Sequence, residues 1–344
     1  MTRRNALATS AFLFTTLAML LLSAPAQAII TTTGSVWHTP AANGVVDGEM
    51  KINNGSVTVT DGDTLTTTDR SFLGYSAGTT ATVTVTDSTW NAESAVFVAS
   101  SAVTNGTVEL NNSTWTVESN MTIAQGQDSV AQITLNGGSL WDVDFAIKIG
   151  YGKGGDGTIT INDGTWSAMQ VTLGGAGFTT SYGTGTININ AAGTMTNRYG
   201  LDVTDYGTVQ LDGGLLSLVG ENDFDGTVAA TTNGGTIRLD AGLNSGIFGL
   251  INVGEDVDFT NCDIEIYFNS AFTPNASNTF NLFDPTDGID LGGALTDAAT
   301  ISTPTGWALD NDTGIMTSVV PEPSTLLTIA LSLLSFAPFY RRRK

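Results

Sequence analysis

A short alternating segment recurs about every 25 residues, and no other feature of the chain constrains its fold as much. The copies are Ser56-Val57-Thr58-Val59, Thr82-Val83-Thr84-Val85, Thr107-Val108-Glu109-Leu110, Gln132-Ile133-Thr134-Leu135, Thr158-Ile159-Thr160-Ile161, Thr186-Ile187-Asn188-Ile189, Thr208-Val209-Gln210-Leu211 and Thr236-Ile237-Arg238-Leu239. Their last residues are 26, 25, 25, 26, 28, 22 and 28 positions apart. Apolar and polar residues alternate with a period of two, so each copy predicts a short strand with one buried face. Asn or Asp follows six of the eight: Asn111, Asn136, Asn162, Asn190, Asp212 and Asp240. Such side chains tolerate left-handed backbone and bond nearby amides, which marks a turn.

Two further features keep the same step. Five or six residues past most anchors stands a large apolar residue: Trp90, Trp115, Trp141, Trp166, Met195 and Leu216. About half a repeat on comes a second alternating stretch, as in Val96-Phe97-Val98, Met121-Thr122-Ile123, Ile147-Lys148-Ile149, Val171-Thr172-Leu173 and Leu201-Asp202-Val203. Glycine-rich links lead to the next copy, and the 40 glycines leave little room for helix. Strands so short cannot bury a face alone, but coils stacked about 4.8 Å apart can. The expected fold is therefore all-β: a right-handed parallel β-helix, or β-solenoid, of about seven to eight coils. Trp90, Trp115, Trp141 and Trp166 form its interior aromatic ladder, because Trp115 shares parity with Val117 and Trp141 with Val143. An outward aromatic strip, which would bind sugar rings, is the alternative placement of the tryptophans, and an antiparallel sandwich is the competing fold, since even spacing also suits hairpins. Repeats occupy 55–242, with 29–54 as N-terminal cap and the aperiodic 243–319 as C-terminal cap over edge amides that would otherwise be open. The repeats resemble those of secreted β-helix proteins of the autotransporter-passenger and pectin-lyase-like kind.

The two ends read as addresses. Residues 1–28 have the form of an export signal: Arg3 and Arg4, an apolar run from Ala11 to Leu22, and the small-x-small cleavage pattern Ala26-Gln27-Ala28. Twin-arginine export is only hinted at, because Ala6 stands where that pattern wants a bulky apolar residue. At the other end Val320-Pro321-Glu322-Pro323-Ser324 precedes the apolar run Leu326 to Tyr340 and then Arg341-Arg342-Arg343-Lys344. The cations hold the cytoplasmic side as a membrane stop, and the proline-flanked glutamate is kept extended outside it. Residues 320–344 resemble the PEP-CTERM sorting signal of exported bacterial proteins. That resemblance implies an exosortase and the secretion machinery as partners, a short C-terminal hydrophobic helix as transient membrane anchor, and release or attachment at the cell surface or extracellular matrix.

Composition closes other routes. Between Ile29 and Val320 there are 32 acidic residues against six basic ones, which excludes a nucleic-acid partner. The single cysteine, Cys262, leaves no material for a disulfide framework or a cysteine zinc site, and a Ser-His-Asp arrangement would have to use the single histidine, His38, which reads instead as a surface residue of the N-terminal cap. Carboxylates are the abundant reactive groups; Asp142, Asp144, Asp202 and Asp205, with Arg198 nearby, are those neighbouring coils could gather. Acids are so frequent that such coincidences carry little weight, and the expectation is no enzyme, no catalytic residue and no cofactor. Calcium is the one ion left open, through Glu221-Asn222-Asp223-Phe224-Asp225-Gly226 and Asp310-Asn311-Asp312-Thr313-Gly314. The expected role is structural or adhesive, with extracellular polysaccharide as the open partner. The alternatives are a polysaccharide lyase or glycoside hydrolase on a pectin-lyase-like β-helix, and a carbohydrate-binding module.

Overall fold

The structure is a computed structural model that describes residues 29–41, 44–175, 182–241, 250–254, 257–268, 278–285 and 291–319. Three strands per coil build a parallel β-solenoid. The first face runs through the predicted anchors: Gly55–Val59 pairs with Thr80–Thr86, which pairs with Asn105–Asn111, then Val130–Asn136, Asp156–Ile161, Thr184–Asn190, Gly207–Asp212 and Thr227–Ala230. That makes eight parallel strands on this face.

The second face carries the tryptophans. Register partners there follow one another as Leu65, Trp90, Trp115, Trp141, Trp166, Met195, Leu216, Ile237, Ile264 and Ile301. The four indoles are fully buried. Their ring centroids are 4.5, 5.0 and 4.8 Å apart, and the planes are tilted by only 7°, 7° and 13°. Stacking at the rung spacing is what a flat side chain does when its copies are placed directly above one another, and each contact adds to the area it buries. The third face holds the second alternating stretch, from Met50–Ile52 through Val96–Val98 and Met121–Ile123 to Leu250–Val253 and Phe283–Pro285.

The corners explain why the repeat keeps its length. Directly after the third-face strands, Gly74, Ala99, Ala124, Gly150 and Gly174 all have left-handed φ, between 54° and 73°. Alanine pays about 1–2 kcal/mol there, which glycine avoids. At Gly150 a Cβ would also lie 1.9 Å from the Thr184 carbonyl oxygen, so only glycine fits. The predicted Asn corner is a hydrogen-bonded ladder. Asn190 Nδ2 donates to Asn162 Oδ1 (2.5 Å), Asn162 to Asn136 (2.6 Å), Asn136 to Asn111 (3.0 Å), and Asn111 to Glu109 Oε1 (3.2 Å). An amide carries both donor and acceptor, so it can relay rung to rung; Asp212 cannot donate, and accepts instead from Thr231 Oγ1 and Asn233 Nδ2.

One expected anchor lies elsewhere. Thr236–Leu239 pairs with Leu215–Leu218 and so belongs to the tryptophan face, while Thr227–Ala230 takes the first-face place. A period-two pattern looks alike on every face, and this coil is short: Leu211 has Ala230 as its register partner. Asp240, one residue further, therefore stands opposite Tyr267 and outside the Asn ladder. The rungs also run on past 242, through Cys262–Tyr267 and Thr300–Ser302 on the second face, so the aperiodic segment is solenoid as well as cap.

Antiparallel strands flank both ends. Ile29–Trp37 lies antiparallel on Met50–Thr60, with a register shift at Gly34/Ser35. At the other end Thr279–Asn281, Trp307–Asp310 and Ile315–Ser318 form a small antiparallel sheet, with the helix Leu291–Thr296 beside it in sequence. Phe268, Phe280 and Trp307 pack there with centroids 5.3 Å apart. Antiparallel strands so placed occupy edge amides that would otherwise recruit further strands, although Thr300–Ser302 is paired only on its Cys262–Tyr267 side among the described residues.

Candidate functional site

The outward side chains of the third face change character along the axis. In register order they are Lys51, Phe72, Phe97, Thr122, Lys148, Thr172, Asp202, Asp223, Asn252 and Asp284. Near the N-terminal end Phe72 and Phe97 stack at 4.8 Å, and the Lys51 ammonium sits 4.5 Å from the Tyr75 ring centroid. Towards the other end the column is acidic.

Beside that acidic stretch, where the second face turns into the third, lies an open groove of about 480 Å³. Asn120, Phe145, Gln170, Tyr199, Asp202, Glu221, Asp223 and Asn252 supply its functional groups, with Met169 and Ala146 between them. These residues come from six successive coils, one or more from each. The corners place them: the turn from the second face to the third takes four residues in the coils of Phe145 (Val143 to Ile147) and Tyr199 (Asn197 to Leu201), as in the coil before, and is one residue shorter in the coil between them (Ala168 to Val171). Both rings are more than half exposed (53% and 58%). Gly200 keeps the floor low, because a Cβ there would come 2.6 Å from the Glu221 carbonyl oxygen.

Asp202 and Asp223 are register partners on adjacent rungs. Partial burial raises the Asp202 carboxyl above the usual range, and the charges of Asp223 and Asp225 add to it. Asp223 is raised likewise, by burial first and then by Asp225 and Glu221. Asn222, between the acids, points inward; it accepts from the Leu201 amide (3.0 Å) and donates to the Gly220 and Leu250 carbonyls. In the first stretch left open to calcium, Glu221–Phe224 is thus a strand, with Glu221 and Asp223 on its outer face and Asn222 and Phe224 inside, and does not have the form of an ion-wrapping loop. The second, Asp310 to Gly314, is the turn of the C-terminal hairpin, closed by Gly314 N–H to Asp310 O and Asp312 N–H to Asp310 Oδ1. Among the described residues no three His, Cys, Asp or Glu side chains converge as metal ligands.

The other sequence candidates separate into two places. Arg198 reaches Asp142 Oδ1 at 2.9 Å and Asp144 Oδ1 at 3.6 Å, bridging two coils, and also donates to the Val143 carbonyl. All three side chains are well exposed, so the pairing is worth about 0–1 kcal/mol. Asp202 faces the groove instead, and Asp205 does not line it. The pairing of Asp223 with Asp202 is not evident in the sequence, where Asp223 falls in an acidic turn-like stretch that leaves calcium open; the third-face register is the signal that finds it. His38 is exposed, with Nδ1 3.1 Å from the Glu49 carbonyl. Cys262 is buried, and burial, with Asp258 and Asp263 nearby, pushes its thiol up to about 12, an unreactive state.

Ala26 and Ala28, the sorting residues Val320, Pro321, Glu322, Pro323 and Ser324, the stop residues Arg341, Arg342, Arg343 and Lys344, and the C-terminal hydrophobic helix lie outside the described residues. Among the described residues no helix is long and apolar enough to cross a membrane. The last described strand, Ile315–Ser318, ends where that segment begins. Fold and groove together define an acidic parallel β-solenoid with a groove along one outer corner. The family model of the PEP-CTERM protein-sorting motif matches residues 319–344, so the chain ends in a signal that implies exosortase-dependent export and membrane-associated sorting of its C-terminus. No curated protein and no solved structure matches the chain.

Proposed function

We propose that the protein is a non-enzymatic structural or adhesive element of the cell surface or extracellular matrix, delivered through its C-terminal sorting signal. The observation that carries this reading is the unbroken register of the stack. From Leu65 to Ile301 one interior column passes from rung to rung, and antiparallel strands flank both ends, which suits a rigid rod that presents its side. The reactive groups fit the same role: the histidine is peripheral and the thiol is buried in its unreactive form.

The test has two arms. The protein is incubated with acidic and neutral polysaccharides, with and without calcium, and the expectation is no turnover. Sustained bond cleavage that disappears in Asp202→Asn would replace the structural reading with a carbohydrate-active enzyme. For delivery, mass spectrometry of the surface form should find the C-terminus shortened near Pro321-Glu322-Pro323. An intact chain through Lys344 at the surface contradicts processing.

A further inference from the structure

We propose that the outer groove binds a linear amino-sugar glycan, a polymer of hexosamines bearing free amines, laid along the solenoid axis; this rests on the adhesive reading above and names its ligand. Length comes first. Six consecutive coils contribute lining residues, so the site is about 24 Å long at about 4.8 Å per rung. A site repeated at every rung fits a ligand that itself repeats, and a pyranose unit is about as long as one rung.

The two aromatic rings give the platforms. Phe145 belongs to the coil of Trp141 and Tyr199 to that of Met195, two rungs apart, so they would meet alternate sugars of one chain. Exposed rings of this kind pack against the C–H face of a pyranose and attract an adjacent ammonium. Asn120, Gln170 and Asn252 offer both donors and acceptors, which a chain of hydroxyls needs.

Charge selects among glycans. Asp202, Glu221 and Asp223 gather at one end of the groove, and among the described lining residues none is cationic. An acidic polysaccharide would be repelled by these groups and by a body carrying 32 acids against six bases. An ammonium placed over Asp202 and Asp223 relieves a repulsion that the fold leaves standing, through charge-assisted hydrogen bonds.

The experiment is calorimetric titration of the full chain with glucosamine oligomers of six to eight units (about the reach of the groove at one unit per rung), their N-acetylated counterparts, and a lysine oligomer of equal charge. Glucosamine oligomers should bind, with affinity lowered about tenfold or more in Tyr199→Ala, in Phe145→Ala and in the double variant Asp202→Asn/Asp223→Asn. Acetylation should weaken binding about tenfold, because it removes the charge but keeps the ring. All four side chains are at the surface, so the variants keep the fold, which circular dichroism checks. No binding of the glucosamine oligomer overturns the proposal. So does binding that the aromatic variants leave unchanged, or a lysine oligomer that binds equally well, since either would be attraction to a generally acidic body. Failure here leaves a non-binding structural rod intact. Cleavage of the bound oligomer would instead sink the non-enzymatic reading while leaving the groove as its site.

Discussion

Substituting Val117 by Thr should cost almost nothing, although Val117 is fully interior. The reason lies in the indole N–H groups. Trp90 Nε1 donates to Thr67 Oγ1 at 3.4 Å, from the rung beneath and two residues along. Trp115, Trp141 and Trp166 are packed the same way, but the place of Thr67 is filled by Ala92, Val117 and Val143, and their Nε1 atoms are buried without a partner. Each such orphan costs about 1–3 kcal/mol. A lone Val→Thr change in a core buries a hydroxyl at a similar cost of about 1–3 kcal/mol. At 117 the new hydroxyl stands to Trp141 as Thr67 stands to Trp90, so both penalties are relieved by one bond. Val117→Thr should therefore lie within about 0.5 kcal/mol of the parent or above it. The control is Val108→Thr, an interior first-face position between Val83 and Ile133, which should lose about 1–3 kcal/mol. Urea unfolding followed by tryptophan emission and far-ultraviolet circular dichroism reads both. If the two substitutions cost the same, the indoles do not sit as described.

Three other substitutions probe the corners and the groove. Val103 is exposed and β-branched yet has φ of 56°, in a corner column shared with Gly78, Asp128 and Gly154; Val103→Asn should raise stability by about 1 kcal/mol in the same unfolding assay. Asn136→Asp keeps the acceptor for Asn162 but sets a carboxylate against Asn111 Oδ1, and should lower the urea midpoint by the equivalent of about 1 kcal/mol at neutral pH. Asp202→Asn should stabilise the protein at neutral pH, because the folded state raises that carboxyl and its charged form is the disfavoured one. The advantage should shrink as pH falls through the raised value and vanish below the ordinary 3.8, where the acid is neutral folded or unfolded. An unfolding series across that range that shows a pH-independent difference would contradict the placement of Asp202 beside Asp223.

Much of the architecture was legible because a solenoid writes its geometry into the chain as a period. Trp90, Trp115, Trp141 and Trp166 recur with the anchors, and parity with Val117 and Val143 puts them inside; seven of the eight anchors sit on the expected face. The eighth, Thr236–Leu239, shows the limit: alternation reveals that a strand has an inside, not which of three faces it belongs to. Strands such as Cys262–Tyr267 and Phe283–Pro285 were invisible because long, unequal insertions separate them, although the rungs beneath still template their pairing. The groove was harder still. It depends on Phe145 and Tyr199 standing on either side of the coil whose turn, Ala168 to Val171, is one residue shorter, and on Asp202 meeting Asp223 across a step of 21 residues rather than 25.

Successive coils lie parallel and in register, and a distance between two nitroxide labels tests that arrangement most directly. Thr84 and Gln210 are outward-facing members of one first-face column, linked through Glu109, Thr134, Thr160 and Asn188. Five rungs at about 4.8 Å place their backbones about 24 Å apart, although 126 residues separate them in sequence. Pulsed electron paramagnetic resonance on Thr84→Cys/Gln210→Cys, spin-labelled with Cys262 buried, should give a narrow distribution near that value. A separation of twice that length, as strands laid side by side in antiparallel order would produce, contradicts the solenoid.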